Sequence, residues 1–321
     1  MKLTIVISSA GRRGGLLSCF REDAERLGVK LRIVAMDLRP EFSAACQVAD
    51  ASYEVPRCSD AHFVPALLDI CRREEAALVI PTIDTELPIL SRATEAFAAV
   101  GTRVVVSAEP VVNVARDKAA TARLLAVAGV MAPKTLTWDE FVADPVQLRD
   151  PVIAKPVGGS SSVGIIRPRR SQDLMTLAGP GYIVQELWTG AEYTVNVYFD
   201  QKGRLSSAVP HRRLEVRAGE VSKGRTERVP SLEAAAQKLA AVLPGASGPL
   251  CFQAMVTETG EYCVFEINAR FGGGYPLAHR AGARFSQWLL EEAAGLPLNA
   301  NNDWRAGVTM LRFDHAVFLD A

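Results

Sequence analysis

The chain has no CxxC pair, no bilayer-length apolar run, no net charge and no internal repeat, and each absence removes a class of function. Its six cysteines (Cys19, Cys46, Cys58, Cys71, Cys251, Cys263) are scattered singly over 321 residues. That excludes a disulfide scaffold and a zinc module, and reads as reduced, mostly buried thiols of a cytoplasmic protein. A membrane helix needs about 18 consecutive apolar residues, and no segment provides them, so no membrane is expected as partner. The opening apolar run is too short for a leader and ends in Gly11-Arg12-Arg13; a buried first strand is expected instead. Lysine plus arginine and aspartate plus glutamate both total 36, so no global field recruits nucleic acid. The dinucleotide fingerprint GxGxxG is also missing, because Arg13 stands where its second glycine belongs. What remains is a globular composition, 49% hydrophobic and 22% charged, long enough for two or three domains around sizeable cores.

The first third alternates short apolar runs with helical patterns. Strands are expected at residues 3–8, 31–36, 77–80 and 103–106, and helices at 14–27, 62–73 and 86–100. This βαβ rhythm predicts a mostly parallel sheet. Ligands of such sheets gather at the carboxyl ends of the strands, which here carry Gly11-Arg12, Asp37 and the Pro81–Glu86 run, with Arg12, Thr85 or Glu86 as candidate substrate contacts. Glu109-Pro110 marks a boundary and a helix is expected at 117–128. Beyond Pro133 strands come in hairpin-like pairs: 151–156 with 163–167, 182–186 with 193–199, and 250–256 with 262–267. Helices are expected at 171–177, 231–243 and 284–294. The fold class is therefore α/β followed by α+β.

Four stretches carry chemistry. On a strand, Glu266, Asn268 and Arg270 share one face and Phe265, Ile267 and Ala269 the other. A turn pairing Thr257 with Tyr262 sets Gln253 opposite Glu266. Hard oxygens beside a guanidinium suit a Mg-nucleotide; a polar, solvent-facing strand edge accounts for the row equally well. Lys155 ends a strand before the loop Gly158-Gly159-Ser160-Ser161-Ser162-Val163-Gly164. There backbone N–H groups and hydroxyls can converge on phosphate, although GxxxxGK[ST] is absent and a flexible turn is the alternative. The strand 182–186 runs through Leu187 into a connector and then Glu192, which suits a base and its ribose, or an ordinary hairpin. Residues 210–225 form a dense basic stretch with Arg212 and Arg213 as candidate substrate ligands and Lys223 as a candidate catalytic cation; a solvated hairpin is the other reading. The Arg167-Pro168-Arg169-Arg170 cluster reads as a surface turn.

Taken in order, Lys118, Lys155 with its glycine loop, Glu186 to Glu192, Gln253, Glu266, Asn268 and Arg270 resemble the ATP-grasp superfamily. The likeness is to single ATP-grasp halves of the carbamoyl-phosphate synthetase large subunit and to carboxylate–amine ligases. It implies a Rossmann-like leading domain at 1–110 and a two-subdomain ATP-grasp module at 111–321, with a mobile lid at about 134–185. It implies that Lys118 and Lys155 contact nucleotide phosphates, that Gly159, Ser160, Ser161, Val163 and Gly164 form the lid loop, and that Glu186 and Leu187 present backbone groups to adenine while Glu192 binds ribose. It implies that Gln253, Glu266 and Asn268 hold Mg²⁺, with Mn²⁺ as a substitute, and that Arg270 stabilises the transferring phosphoryl group. Gln253 stands where many relatives have an acidic ligand. The loop with Gly273, Gly274 and Tyr275 resembles the substrate loop of these ligases. The activity implied is ADP-forming: a small carboxylate is activated as an acyl phosphate and attacked by an amine. An ATP-grasp kinase acting on a hydroxyl and a silent ATP-binding regulator are the alternatives. The partners implied are the two small molecules, and a homodimer is compatible with the resemblance.

Overall fold

The computed structural model describes residues 1–159 and 163–319. Five strands, β1 (Lys2–Ser8), β2 (Lys30–Asp37), β3 (Ala51–Glu54), β4 (Leu78–Pro81) and β5 (Arg103–Val104), form a parallel sheet in the order β3-β2-β1-β4-β5. The chain winds outward from β1 in one direction, then returns to add β4 on the other side. The crevice between the carboxyl ends of β1 and β4 is therefore the switch point where such sheets place ligands. The expected helix at 86–100 is two helices, Leu87–Arg92 and Thr94–Ala98, interrupted at Ala93. Sequence reading missed β3 because it is a half-exposed edge strand without an apolar run.

A second sheet has three antiparallel strands, β6 (Thr135–Thr137), β7 (Val152–Pro156) and β8 (Tyr182–Glu186), in the order β6-β8-β7. The third has six: β9 (Ala191–Phe199), β10 (Leu205–Arg217), β11 (Glu220–Thr226), β12 (Gly248–Val256), β13 (Tyr262–Asn268) and β14 (Thr309–Leu311), in the order β13-β12-β9-β10-β11-β14. Two expected hairpins are corrected. Strand β7 pairs with β8, and its contact with the 163–167 stretch is a single bridge, Ala154 to Ile166. Strands β8 and β9 lie in different sheets. The chain crosses between them at Gly190, whose φ is +149° and where a Cβ would sit 2.3 Å from the Val256 carbonyl oxygen. Only glycine passes there.

Alternation along the strands explains how the layers join. Val6 of β1 and Val197 of β9 enter one core, while Ile5 and Ile7 of β1 and Tyr198 of β9 enter the other. The five-stranded and six-stranded sheets thus share both of their cores. The three-stranded sheet has its own small core of Leu136, Phe141, Leu148, Val152, Ala154, Leu174 and Val184. At one edge of the six-stranded sheet β14 covers Lys223–Arg225 of β11. At the other, the Val264 N–H donates to the Met131 carbonyl at 2.8 Å.

Candidate active site

Strand β13 forms the floor of a cleft between the three-stranded and six-stranded sheets. Its hairpin with β12 begins with Val256 opposite Tyr262, one position from the expected pairing, and shifts register before reaching Gln253 opposite Glu266. The shift is a bulge at Phe265. A bulge puts two consecutive residues on one side, so Phe265 and Glu266 both face the cleft, whereas strict alternation had sent them apart. Beyond the bulge Asn268 and Arg270 continue on the Glu266 side.

Two hollows meet on this floor. One is walled by Lys118, Lys155, Gly159, Val163, Glu186, Leu187 and Trp188. The other is walled by Arg13, Thr194, Arg213, Asn268, Arg270 and the Gly272–Gly274 turn. Arg167, Glu192, Gln253 and Glu266 line both. Arg167 therefore leaves the surface turn assigned to it from sequence.

In the first hollow Lys118 Nζ donates to the Gly159 carbonyl at 2.9 Å, tying the 118–127 helix to the glycine loop. Lys155 has the Phe265 ring at 4.8 Å and no carboxylate within ion-pair distance among the described residues. Burial lowers its pKa to about 8, opposed in part by Glu266 and assisted by Lys118. Gly164 does not line the hollow; it turns at φ +74° against Pro156. Ser160 and Ser161 lie outside the described residues. Glu186 donates its N–H to the Lys134 carbonyl and Leu187 its own to Pro151. Of the backbone groups expected to face a base, the N–H groups of these two residues are therefore already engaged, which leaves their carbonyl oxygens.

In the second hollow Arg213 and Arg270 are paired. Arg213 meets Glu192 at 3.2 Å. Arg270 meets Asp84 at 2.8 Å and donates to the Phe271 carbonyl and to Asn268 Oδ1. Burial works against the Arg270 charge, but its acidic neighbours, Asp84 foremost, together outweigh it and the net shift is upward. Asp84 and Arg13 reach the site from the carboxyl ends of β4 and β1, the switch-point loops. Glu86 holds those loops together from beneath. It is fully buried and accepts from the Ser8 and Ser9 hydroxyls and the Thr82 and Ile83 N–H groups. All its capacity is spent internally, so it is no substrate contact.

The remaining basic-stretch candidates divide by strand alternation. Arg213 faces the hollow, while Arg212 points to solvent. Lys223 is exposed and bonded to Glu215 at 2.7 Å, away from both hollows, which removes it as a catalytic cation. Gly273 and Gly274 line the chamber with no room for side chains: a Cβ would come within 2.6 Å of Glu220 and 2.7 Å of His211 respectively. Tyr275 opens the helix Tyr275–Ala281, a helix the sequence reading took for loop. It is buried with its hydroxyl on Ser286, away from the chamber.

Among the described residues no cluster of three His, Cys, Asp or Glu side chains could hold a metal, and no helix is long and apolar enough to cross a membrane. Glu266, with amide oxygens from Gln253 and Asn268, is nevertheless an all-oxygen donor set of the kind Mg²⁺ takes when phosphates complete its shell. Glu266 accepts no hydrogen bond and forms no ion pair among the described residues, so its carboxylate is uncommitted.

Compared with proteins of curated function by sequence, the chain matches none. Residues 5–105 match the family model of the PylC-like N-terminal domain, and residues 115–274 that of the ATP-grasp domain. Among solved structures, biotin carboxylase from Campylobacter jejuni is 17% identical, with a TM-score of 0.73 over 94% of this chain and 73% of that one. N5-carboxyaminoimidazole synthetase from Staphylococcus aureus, complexed with ADP, is 14% identical, with a TM-score of 0.71 over 98% and 95%. L-amino acid ligase from Bacillus licheniformis is 18% identical, with a TM-score of 0.66 over 91% and 74%. At these identities the structures establish the shared fold, and the relation to carbamoyl-phosphate synthetase is a distant one. The two family matches, in the order the fold displays them, make this chain a member of the ATP-grasp superfamily.

Proposed function

We propose that the protein is an ADP-forming ligase that activates a small carboxylate with ATP and passes it to an amine. The observation that carries this is the junction at Glu266: a hollow with two lysines that have no carboxylate partner among the described residues opens there into a polar chamber whose arginines Arg213 and Arg270 are already oriented. ATP lies in the first hollow, its phosphates on Lys118, Lys155 and the glycine loop and its ribose on Glu192. Gln253, Glu266 and Asn268 hold Mg²⁺, or Mn²⁺ on the same oxygens, which supplies neutralisation of the phosphate charge.

The substrate carboxylate sits beside Arg270 on the Gly272–Gly274 turn. It attacks the γ-phosphorus as the bond to ADP breaks, and the amine then displaces phosphate from the acyl phosphate. Phosphoryl transfer asks the protein for alignment and charge stabilisation rather than covalent chemistry. Asp84 keeps the Arg270 fork aimed at the transferring oxygens. The acyl phosphate is easily hydrolysed, so the three-stranded subdomain acts as a lid that excludes water before transfer. With six cysteines, none in a disulfide, a reducing cytoplasm suits the chain.

The test is metal-dependent ADP release against pooled small carboxylic acids and amines. One pool should stimulate release, and Glu266→Ala should cut it by about 10³-fold with an unchanged circular dichroism spectrum. Undiminished turnover by Glu266→Ala would remove the metal assignment. A phosphorylated product without a condensed one would replace the ligase with a kinase.

A further inference from the structure

At the chamber wall two arginines converge on one carboxylate and a third stands beside them. Arg12 and Arg13 come from the loop after β1, Glu220 opens β11, and Arg312 follows β14. Glu220 gives Oε1 to Arg13 at 2.9 Å and Oε2 to Arg312 at 3.0 Å. The second Arg312 nitrogen donates to the Gly273 carbonyl at 2.5 Å, which fastens the group to the glycine turn. Arg12 makes no side-chain hydrogen bond or ion pair among the described residues and contributes to the wall of the adjoining recess. Arg13, Glu220 and Gly273 line both that recess and the main chamber, so the cluster stands where the two communicate.

The charge count sets this corner apart. Arg213 is balanced by Glu192 and Arg270 by Asp84, one for one. Here three guanidinium groups face one carboxylate, an excess of two positive charges at the end remote from the nucleotide lysines. A purely structural bridge between the first domain and the six-stranded sheet is complete with Arg13 and Glu220 alone. It accounts neither for the second arginine on Glu220 nor for the unpaired third.

We infer that this cluster is a subsite for a second anionic group, a carboxylate remote from the reacting centre, on one of the two substrates. The inference rests on the ligase reading for the word substrate, and the binding itself is separable from it. Forked guanidinium groups match carboxylate geometry, and Arg12 supplies the charge that Glu220 leaves uncompensated. Two sources share the chemistry: a dicarboxylic acid as the activated partner, or an amino acid as the amine.

The experiment titrates four probes calorimetrically into the full chain holding Mg²⁺ and a non-hydrolysable ATP analogue. They are glutarate against its monoamide glutaramate, and γ-aminobutyrate against butylamine. In one arm the acidic member should bind about tenfold more tightly than its neutralised partner, the loss expected for one charge-assisted hydrogen bond. The arm that responds identifies the substrate carrying the anion. Arg312→Gln and, independently, the solvent-facing Arg12→Gln should each abolish the preference while leaving affinity for the ATP analogue unchanged. Equal binding within both pairs, no binding by any probe, or a preference that survives both substitutions overturns the subsite. If the preference is present but no acid pool ever stimulates ADP release, the ligase reading fails and the anion site stands. If ADP release is stimulated by acids while the preference is absent, the reverse holds.

Discussion

The two walls of the cleft hold their charges differently. On the six-stranded side each inward arginine is pinned: Arg270 by Asp84, Arg213 by Glu192, Arg13 by Glu220. On the three-stranded side, among the described residues, Lys155 has an aromatic face and Lys118, which reaches across from its helix, a backbone carbonyl. Packing follows the same division, since the six-stranded sheet shares two large cores with the first domain while the three-stranded sheet stands on seven buried residues of its own. One wall is preorganised. The other is a light subdomain whose cations have no carboxylate partner among the described residues, which fits the moving, phosphate-binding lid of the proposed function.

The sharpest way to break this contrast is to empty the small core. Phe141 is fully buried there, and Phe141→Ala should cost about 3–5 kcal/mol. Amide exchange should accelerate in β7 and β8 and stay slow in β9 and β12. Uniform acceleration would mean that the subdomains unfold as one body.

Next in size is the pinned wall. Asp84→Asn leaves a mostly buried Arg270 without its counter-charge and should lower stability by about 2–3 kcal/mol, reduced from the fully buried case because both partners keep some solvent contact. Denaturant titration measures it; an unchanged midpoint would show that Arg270 needs no pinning.

A pH series sharpens the contrast from the three-stranded side. Free Lys155 has its pKa lowered to about 8 by burial. Below pH 8 it is already charged, and in the proposed function it binds phosphate without taking up a proton. Above pH 8 each binding event must take up a proton, so nucleotide affinity should fall by about tenfold per pH unit until the pKa of the bound state is reached. Lys155→Met should bind weakly and lose that slope. A slope persisting in the variant would assign the titration elsewhere. The smallest effect belongs to Lys223→Ala: an exposed pair with Glu215 outside the cleft should change ADP release by less than about twofold.

Much of the site was legible in the sequence because its residues are neighbours along single strands. Gln253 opposite Glu266 follows from a short hairpin, although the predicted register was one position off at the turn and the Phe265 bulge restored it. A bulge leaves no periodic trace, so the cleft-facing Phe265 was invisible. Arg13, Asp84, Glu220 and Arg312 were missed for another reason: their partners lie tens to hundreds of residues away, and only the parallel topology of β1 and β4 and the closing strand β14 assemble them. The carboxyl ends of β1 and β4 were the right place to look, but Glu86, the most conspicuous acid there, turned out to be internal bracing. The hairpins expected at 151–167 and 182–199 failed because adjacency in sequence was taken for adjacency in a sheet, where the passage at Gly190 sends consecutive strands into different layers.

The six-stranded sheet has one short and one partly engaged margin, and this bears on assembly. An open strand edge invites another chain to add its own strand, the usual route to runaway association. Here β14 spans only three residues of the β11 edge, and Arg217 beside it is held by Asp314 from the segment that follows β14. The opposite margin is occupied by the Met131 carbonyl on Val264. A chain adding a strand would meet either the three-residue β14 or a β13 margin already engaged at Val264, short edges of the kind that blunt strand addition.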